Sequence, residues 1–185
     1  MRKLHVFDMV SLDGFFTDEK SDMSWAHKRD EEWNAFAGGN AGGNGVLLFG
    51  RVTYDMMAAF WPTPQAAQML PDVAAGMNAM PKIVVSRTLD TVSWQNTTLL
   101  KGDLVSEITR LKQQPGADLV ILGSGSIVSQ LTEARLIDEY QIVVCPIVLG
   151  RGRTLFETVR RKISLAVKKT RTFKNGNVVV WYEPA

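Results

Sequence analysis

Cysteine is nearly missing: Cys145 stands alone in 185 residues, so no internal disulfide can form. Histidine is scarce too, with only His5 and His27, which leaves too few soft ligands for a structural zinc site. No metal is expected. Long apolar runs are also lacking. Asp8 and Asp13 interrupt the N-terminal stretch that an export signal would need, and the longest uncharged segment, residues 34–50, is too rich in Gly and Asn for a bilayer helix. The expected location is therefore cytoplasmic, with no membrane partner. Neither sign of charge dominates: 21 Lys and Arg face 19 Asp and Glu, so nothing draws the whole chain toward nucleic acid. What remains is a globular composition, 45% hydrophobic, with no internal repeat and no dividing linker, and residues 1–185 read as a single domain.

Strand-like and helical runs alternate along the chain, the pattern of an α/β fold with a mostly parallel sheet. Residues 4–10, 46–49, 82–85, 118–122 and 139–148 are strand candidates. Residues 51–60 carry Val52, Met56, Ala59 and Phe60 at helical spacing. Asp103 can cap a helix whose Leu104, Ile108 and Leu111 share a face, and Pro115-Gly116 stops it. A short helix is expected over 127–134. Residues 163–173 and 177–182 flank Asn175-Gly176, a dipeptide suited to a tight hairpin, so an antiparallel edge should close the sheet. Residues 38–45, rich in Gly, read as a flexible connection from helix to strand.

Ligands of open parallel sheets bind beyond the carboxyl ends of the strands, where helix N-termini present amides to anions. Three such ends carry suitable residues. Gly50-Arg51-Val52-Thr53 offers close backbone approach, a guanidinium and a hydroxyl; Gly123-Ser124-Gly125-Ser126, running into Ile127, offers bare backbone and two hydroxyls. Ser86-Arg87-Thr88 could grip a further phosphate, such as the 2′-phosphate of NADP. The G-x-G-x-x-G fingerprint fails at Val128, and no P-loop spacing exists.

Taken with Ser11-Leu12-Asp13-Gly14, Phe49-Gly50-Arg51-Val52-Thr53, Val84-Val85-Ser86-Arg87, Ile121-Leu122-Gly123-Ser124-Gly125-Ser126 and residues 146–156, the chain resembles dihydrofolate reductase-like proteins. It is more closely similar to the C-terminal reductase domain of the bifunctional riboflavin-biosynthesis deaminase-reductase. That resemblance implies a three-layer sandwich around an eight-stranded, mostly parallel sheet with an antiparallel C-terminal hairpin. It also implies NADPH lying across the strand ends, with its 2′-phosphate near Ser86 and Arg87 and its pyrophosphate on the turns at 50–53 and 123–127. The implied activity is hydride transfer to a pyrimidine- or pterin-type heterocycle, as in 5-amino-6-(5-phosphoribosylamino)uracil reductase. The H-x-E and P-C-x-x-C segments of the accompanying zinc deaminase are missing, so a stand-alone reductase-like domain is expected.

Hydride transfer to such a ring needs a proton source. Asp30 lies one turn before Trp33 on the apolar face of a helix over 24–38, and Trp25 precedes it by five residues, similar to the spacing of pocket tryptophan and substrate carboxylate in dihydrofolate reductases. The resemblance puts Thr154 in support of that carboxylate, and Asp13 beside the substrate. Arg153 and Glu157 depart from the folate pattern and favour the riboflavin-type branch. A solvated hairpin face accounts for the basic residues of 151–174, so no nucleic acid is expected, and the C-terminal edge strands make a homodimer reasonable. The competing reading is a non-catalytic nucleotide-binding or interaction module on the same fold, and a dihydrofolate reductase is the other alternative.

Overall fold

A computed structural model describes residues 1–27, 30–41 and 43–185. Its ten strands, in chain order, are β1 Leu4–Ser11, β2 Phe15–Thr17, β3 Val46–Gly50, β4 Lys82–Val85, β5 Thr97–Leu100, β6 Leu119–Leu122, β7 Glu139–Cys145, β8 Arg153–Thr154, β9 Leu165–Thr172 and β10 Val178–Pro184. Eight of them form one sheet in the order β5-β4-β3-β6-β1-β7-β10-β9. The pairs from β5 to β7 are parallel, while β10 runs antiparallel to both β7 and β9. This is the mostly parallel sheet with an antiparallel hairpin that the alternation of runs implies. A small second sheet pairs β2 with β8.

The helices are α1 Glu31–Ala41, α2 Arg51–Phe60, α3 Pro64–Met69, α4 Pro71–Ala79, α5 Leu104–Gln113 and α6 Gly125–Glu133, with one 3-10 turn at Ser24–Ala26. Helices cover both faces of the sheet, because strands buried on both sides need two apolar layers. One face joins Leu4, Val6, Leu48, Leu119 and Ile121 to Ile108 and Leu111 of α5 and to Ile127, Val128 and Leu131 of α6. On the other face, Leu47, Phe49 and Val84 meet Tyr54 of α2 and Met77 of α4, and Val143, Cys145, Val179 and Trp181 meet Trp33 of α1. Lys82, buried at the start of β4, turns its Nζ onto the carbonyls of Met77, Asn78 and Met80 and so caps the C-terminal end of α4.

Several elements differ from the sequence reading. Helix α6 starts at Gly125 rather than 127, since Gly123 and Ser124 take up the sharp turn from β6. Residues 38–41 belong to α1 rather than to a connection, and Gly42 lies outside the described residues. Tertiary packing overrides glycine propensity there: the backbone of Ala41 comes so close to Gly76 of α4 that a Cβ on Gly76 would sit 2.4 Å from the Ala41 oxygen. Strand β5, helices α3 and α4, and the β2–β8 pair complete the fold beyond what periodicity indicates.

Candidate functional site

Strands β4, β3 and β6 are neighbours and parallel, so the turns that follow them open on one edge of the sheet. A cleft of about 1010 Å³ runs along that edge, and its wall holds Gly50, Arg51, Val52, Thr53, Ser86, Arg87, Gly123, Ser124, Gly125, Ser126 and Ile127. Of the residues read as cofactor-binding, only Thr88 stays out of the wall; it lies within the turn, its amide donating to Ser86 Oγ at 3.2 Å.

Ser124 ties two of the turns together. Its Oγ donates to Thr53 Oγ1 at 2.7 Å and accepts from the Gly50 amide at 2.9 Å. To reach both, Ser124 adopts a left-handed backbone, φ 65° and ψ 62°, a conformation that costs a non-glycine residue energy. Helices α2 and α6 begin at these turns, at Gly50 and Ser124, and neither has a side-chain cap. By contrast, α1, α3 and α5 are capped by Asp30, Thr63 and Asp103. Two uncapped N-termini side by side present amides and positive helix ends to the same stretch of cleft. At the third turn Arg87 is 76% exposed and pairs with Asp103 at 3.7 Å, a loose ion pair that leaves its guanidinium able to swing to an anion.

A second limb of the cleft passes between α1 and the α2–α4 unit. Its floor is the middle of the sheet, with Phe7 and Met9 of β1, Val120 and Leu122 of β6 and Gln141 of β7; its walls include Trp33, Met57, Trp61 and Met77.

Among the wall residues that the sequence reading missed, Asp8 stands out chemically. Asp8 is 3% exposed, its Oδ1 accepts from the Met9 amide at 2.9 Å, and its Oδ2 has no hydrogen-bond partner among the described residues. Burial pushes its carboxyl up to about 7, against the weaker lowering by that hydrogen bond. Phe7 pairs with Leu122, so Asp8 stands level with Gly123, where β6 leaves the sheet. The signal was present in the sequence: Leu4, Val6, Asp8 and Val10 alternate along one strand, and a carboxylate in a buried apolar series calls for an explanation.

The residues read as catalytic or substrate-binding are placed elsewhere. Asp30, Thr154, Asp13 and Trp25 are all outside the cleft wall. Asp30 Oδ1 accepts the Trp33 amide at 2.7 Å, which makes it the cap of α1. Thr154 lies in β8, paired with Phe15. Asp13 staples two loops: its carboxylate accepts from Ser11 Oγ at 2.6 Å and from the amides of Leu149 and Gly150, and these bonds, that of Ser11 foremost, lower its pKa to about 2. Trp25 donates its indole N–H to the Asp22 carbonyl.

The sequence pattern of the RibD C-terminal domain matches residues 2–179. The chain belongs to that family. Among solved structures, a protein from Shewanella sp. PV-4 provisionally described as a riboflavin biosynthesis protein is 25% identical with a TM-score of 0.74, the match covering 99% of each chain. The Thermotoga maritima diaminohydroxyphosphoribosylaminopyrimidine deaminase/5-amino-6-(5-phosphoribosylamino)uracil reductase is 12% identical with a TM-score of 0.66, over 100% of this chain and 57% of that one. Dihydrofolate reductase from Enterococcus faecalis, solved with NADP(H), is 15% identical with a TM-score of 0.63, over 98% and 96%. These last two likenesses are of fold, and they establish the dihydrofolate reductase-like architecture.

A nicotinamide dinucleotide suits the residues present. Among the described residues, the buried side-chain polar atoms without a partner belong to Asp8, Thr17, Gln141 and Asn177, and the first three residues line the cleft. Gly125 lies bare against Phe16, where a Cβ would come within 2.5 Å of the ring.

Proposed function

We propose that this protein is an NADPH-dependent reductase that passes a hydride to a flat heterocycle of pyrimidine or pterin type. The observation that carries this reading is the pair of uncapped helix N-termini bridged by Ser124, a ready seat for a diphosphate, beside the exposed Arg87 for a 2′-phosphate. When bound, the dinucleotide supplies the hydride. The chain's own residues supply the rest: Gly50, Arg51, Val52, Thr53 and Gly123 through Ile127 hold the diphosphate, and Ser86 and Arg87 hold the monoester. Asp8, which keeps its proton up to about pH 7, returns a proton to the reduced ring at the seam between β1 and β6. Asp30 and Thr154 act on that ring only through the placement of α1 and β8. An open cleft, rather than a filled one, favours the catalytic reading over the non-catalytic one.

The test is ligand-dependent melting. NADPH should raise Tm by about 5–10 °C at a concentration 100-fold above its Kd, since a ligand bound only to the folded state contributes about 2.7 kcal/mol there. NADH should do less, and Arg87→Ala should abolish the difference. Equal shifts for both cofactors in the unmodified protein would defeat the 2′-phosphate assignment, and no shift with either would defeat the cofactor assignment.

A further inference from the structure

The second limb of the cleft narrows the substrate class, given that the strand-end limb holds the dinucleotide. Seven of the eight methionines, all but Met1, line the cleft. Core packing accounts for Met77 and Met80, which are buried, but not for Met56 and Met69, which stand at the lip 50% and 46% exposed. An unbranched thioether chain is flexible and polarizable, so walls built from it refit around flat rings of different outline.

The polar groups in this limb have a definite character. Gln141 Nε2 is buried with no acceptor among the described residues, and the Trp61 indole N–H donates to Met57 Sδ at 3.0 Å, a weak acceptor. Both donors are better satisfied by a carbonyl oxygen or ring nitrogen. The far end of the limb holds Glu139, whose carboxylate lies 3.5 Å from His5 and 2.6 Å from Lys168. Lys168 thus has a carboxylate already, and a second anion there would meet Glu139. The described cationic side chains of the cleft wall, Arg51, Arg87 and Arg153, belong to the strand-end side.

We infer that this limb takes a neutral, flat, fused ring bearing carbonyl acceptors and no phosphorylated arm, and that it accepts several such rings. This sets the chain apart from a reductase of phosphoribosyl substrates.

The experiment uses riboflavin and riboflavin 5′-phosphate, which share an isoalloxazine ring and differ only in the phosphate, together with lumichrome, the armless alloxazine form of that fused ring. Each is titrated at pH 7 into the full chain saturated with NADP⁺, with quenching of tryptophan fluorescence as the readout, since Trp33 and Trp61 line the limb. Lumichrome should bind at least tenfold more tightly than riboflavin 5′-phosphate, with riboflavin between them. Met56→Lys combined with Met69→Lys, at exposed positions that leave the fold intact, should cut that preference at least fivefold, and Gln141→Leu should weaken lumichrome about tenfold. Equal or tighter binding of the phosphorylated compound overturns the inference, as does a preference unchanged by the lysine pair. A melting curve of the same sample with NADP⁺ keeps the two readings separate: no shift there sinks the cofactor assignment, whereas the ranking of the three rings, repeated without NADP⁺, still decides the substrate class.

Discussion

Ser124 shows how much one hydroxyl can organise. It holds the β3–α2 and β6–α6 turns in register, and it does so from a left-handed backbone. Ser124→Ala removes both bonds, leaves the Gly50 amide unpaired and keeps the backbone strain, so it should destabilise the fold by about 1–3 kcal/mol and weaken NADPH roughly tenfold in calorimetric titration. Ser124→Gly relieves the strain while losing the same bonds; if the bridge is what matters, affinity falls equally and stability falls less. Asp8 gives a second prediction. Its folded-state carboxyl titrates near 7 against an ordinary value of 3.8, so between about pH 4 and 7 the native protein keeps a proton that the unfolded chain releases. Stability therefore declines as pH rises through that window, by up to about 1.4 kcal/mol per pH unit, and levels off above it. Asp8→Asn should flatten the profile in urea unfolding and be more stable than the unmodified protein at pH 8. The same variant should lower kcat about 100-fold and erase the fall in activity near pH 7.

Among the elements, the strand-end turns were legible because glycine, hydroxyl and arginine cluster there right after apolar runs. Helices α3 and α4, which contribute Gln65, Met69, Val73 and Met77 to the cleft wall, were not. Pro64 and Pro71 each occupy the first turn of a helix, where a missing N–H costs nothing. β5 is four residues long at the sheet edge, too short for alternation to mark it. Asp30 was conspicuous for a different reason from the one assigned to it: a short acid before a helix is a cap first. Asp30→Ala should cost about 1 kcal/mol in thermal unfolding, and kcat should be nearly unchanged once Tm is matched by temperature. A loss of kcat on the scale of the Asp8 variant would restore Asp30 as the acid.

At the scale of the whole molecule, β9 is an edge strand with all eight residues exposed, including Leu165 and Val167. Such an edge invites pairing with a second copy. A near-centred antiparallel pairing would set Lys168 and Lys169 of one chain against those of the other, and like charges directly opposite destabilise a sheet. A homodimer assembled through β9 is thus opposed by the strand's own side chains. Lys168 and Arg171 are engaged by Glu139 and Glu32, while Lys169 lies over the Trp181 ring. Lys169→Val should bring on concentration-dependent association in sedimentation velocity, and Lys169→Glu should not.

The contact of Gly76 with Ala41 has a mechanical meaning for the cleft. With no side chain between them, the backbones of α4 and α1 are already touching. The two helices therefore have no room at this contact to pinch inward on a slimmer guest. The aperture behaves as a gauge with a fixed lower stop, so discrimination against small rings must come from lost contact rather than from closure, and a bulkier residue at 76 would reset the gauge.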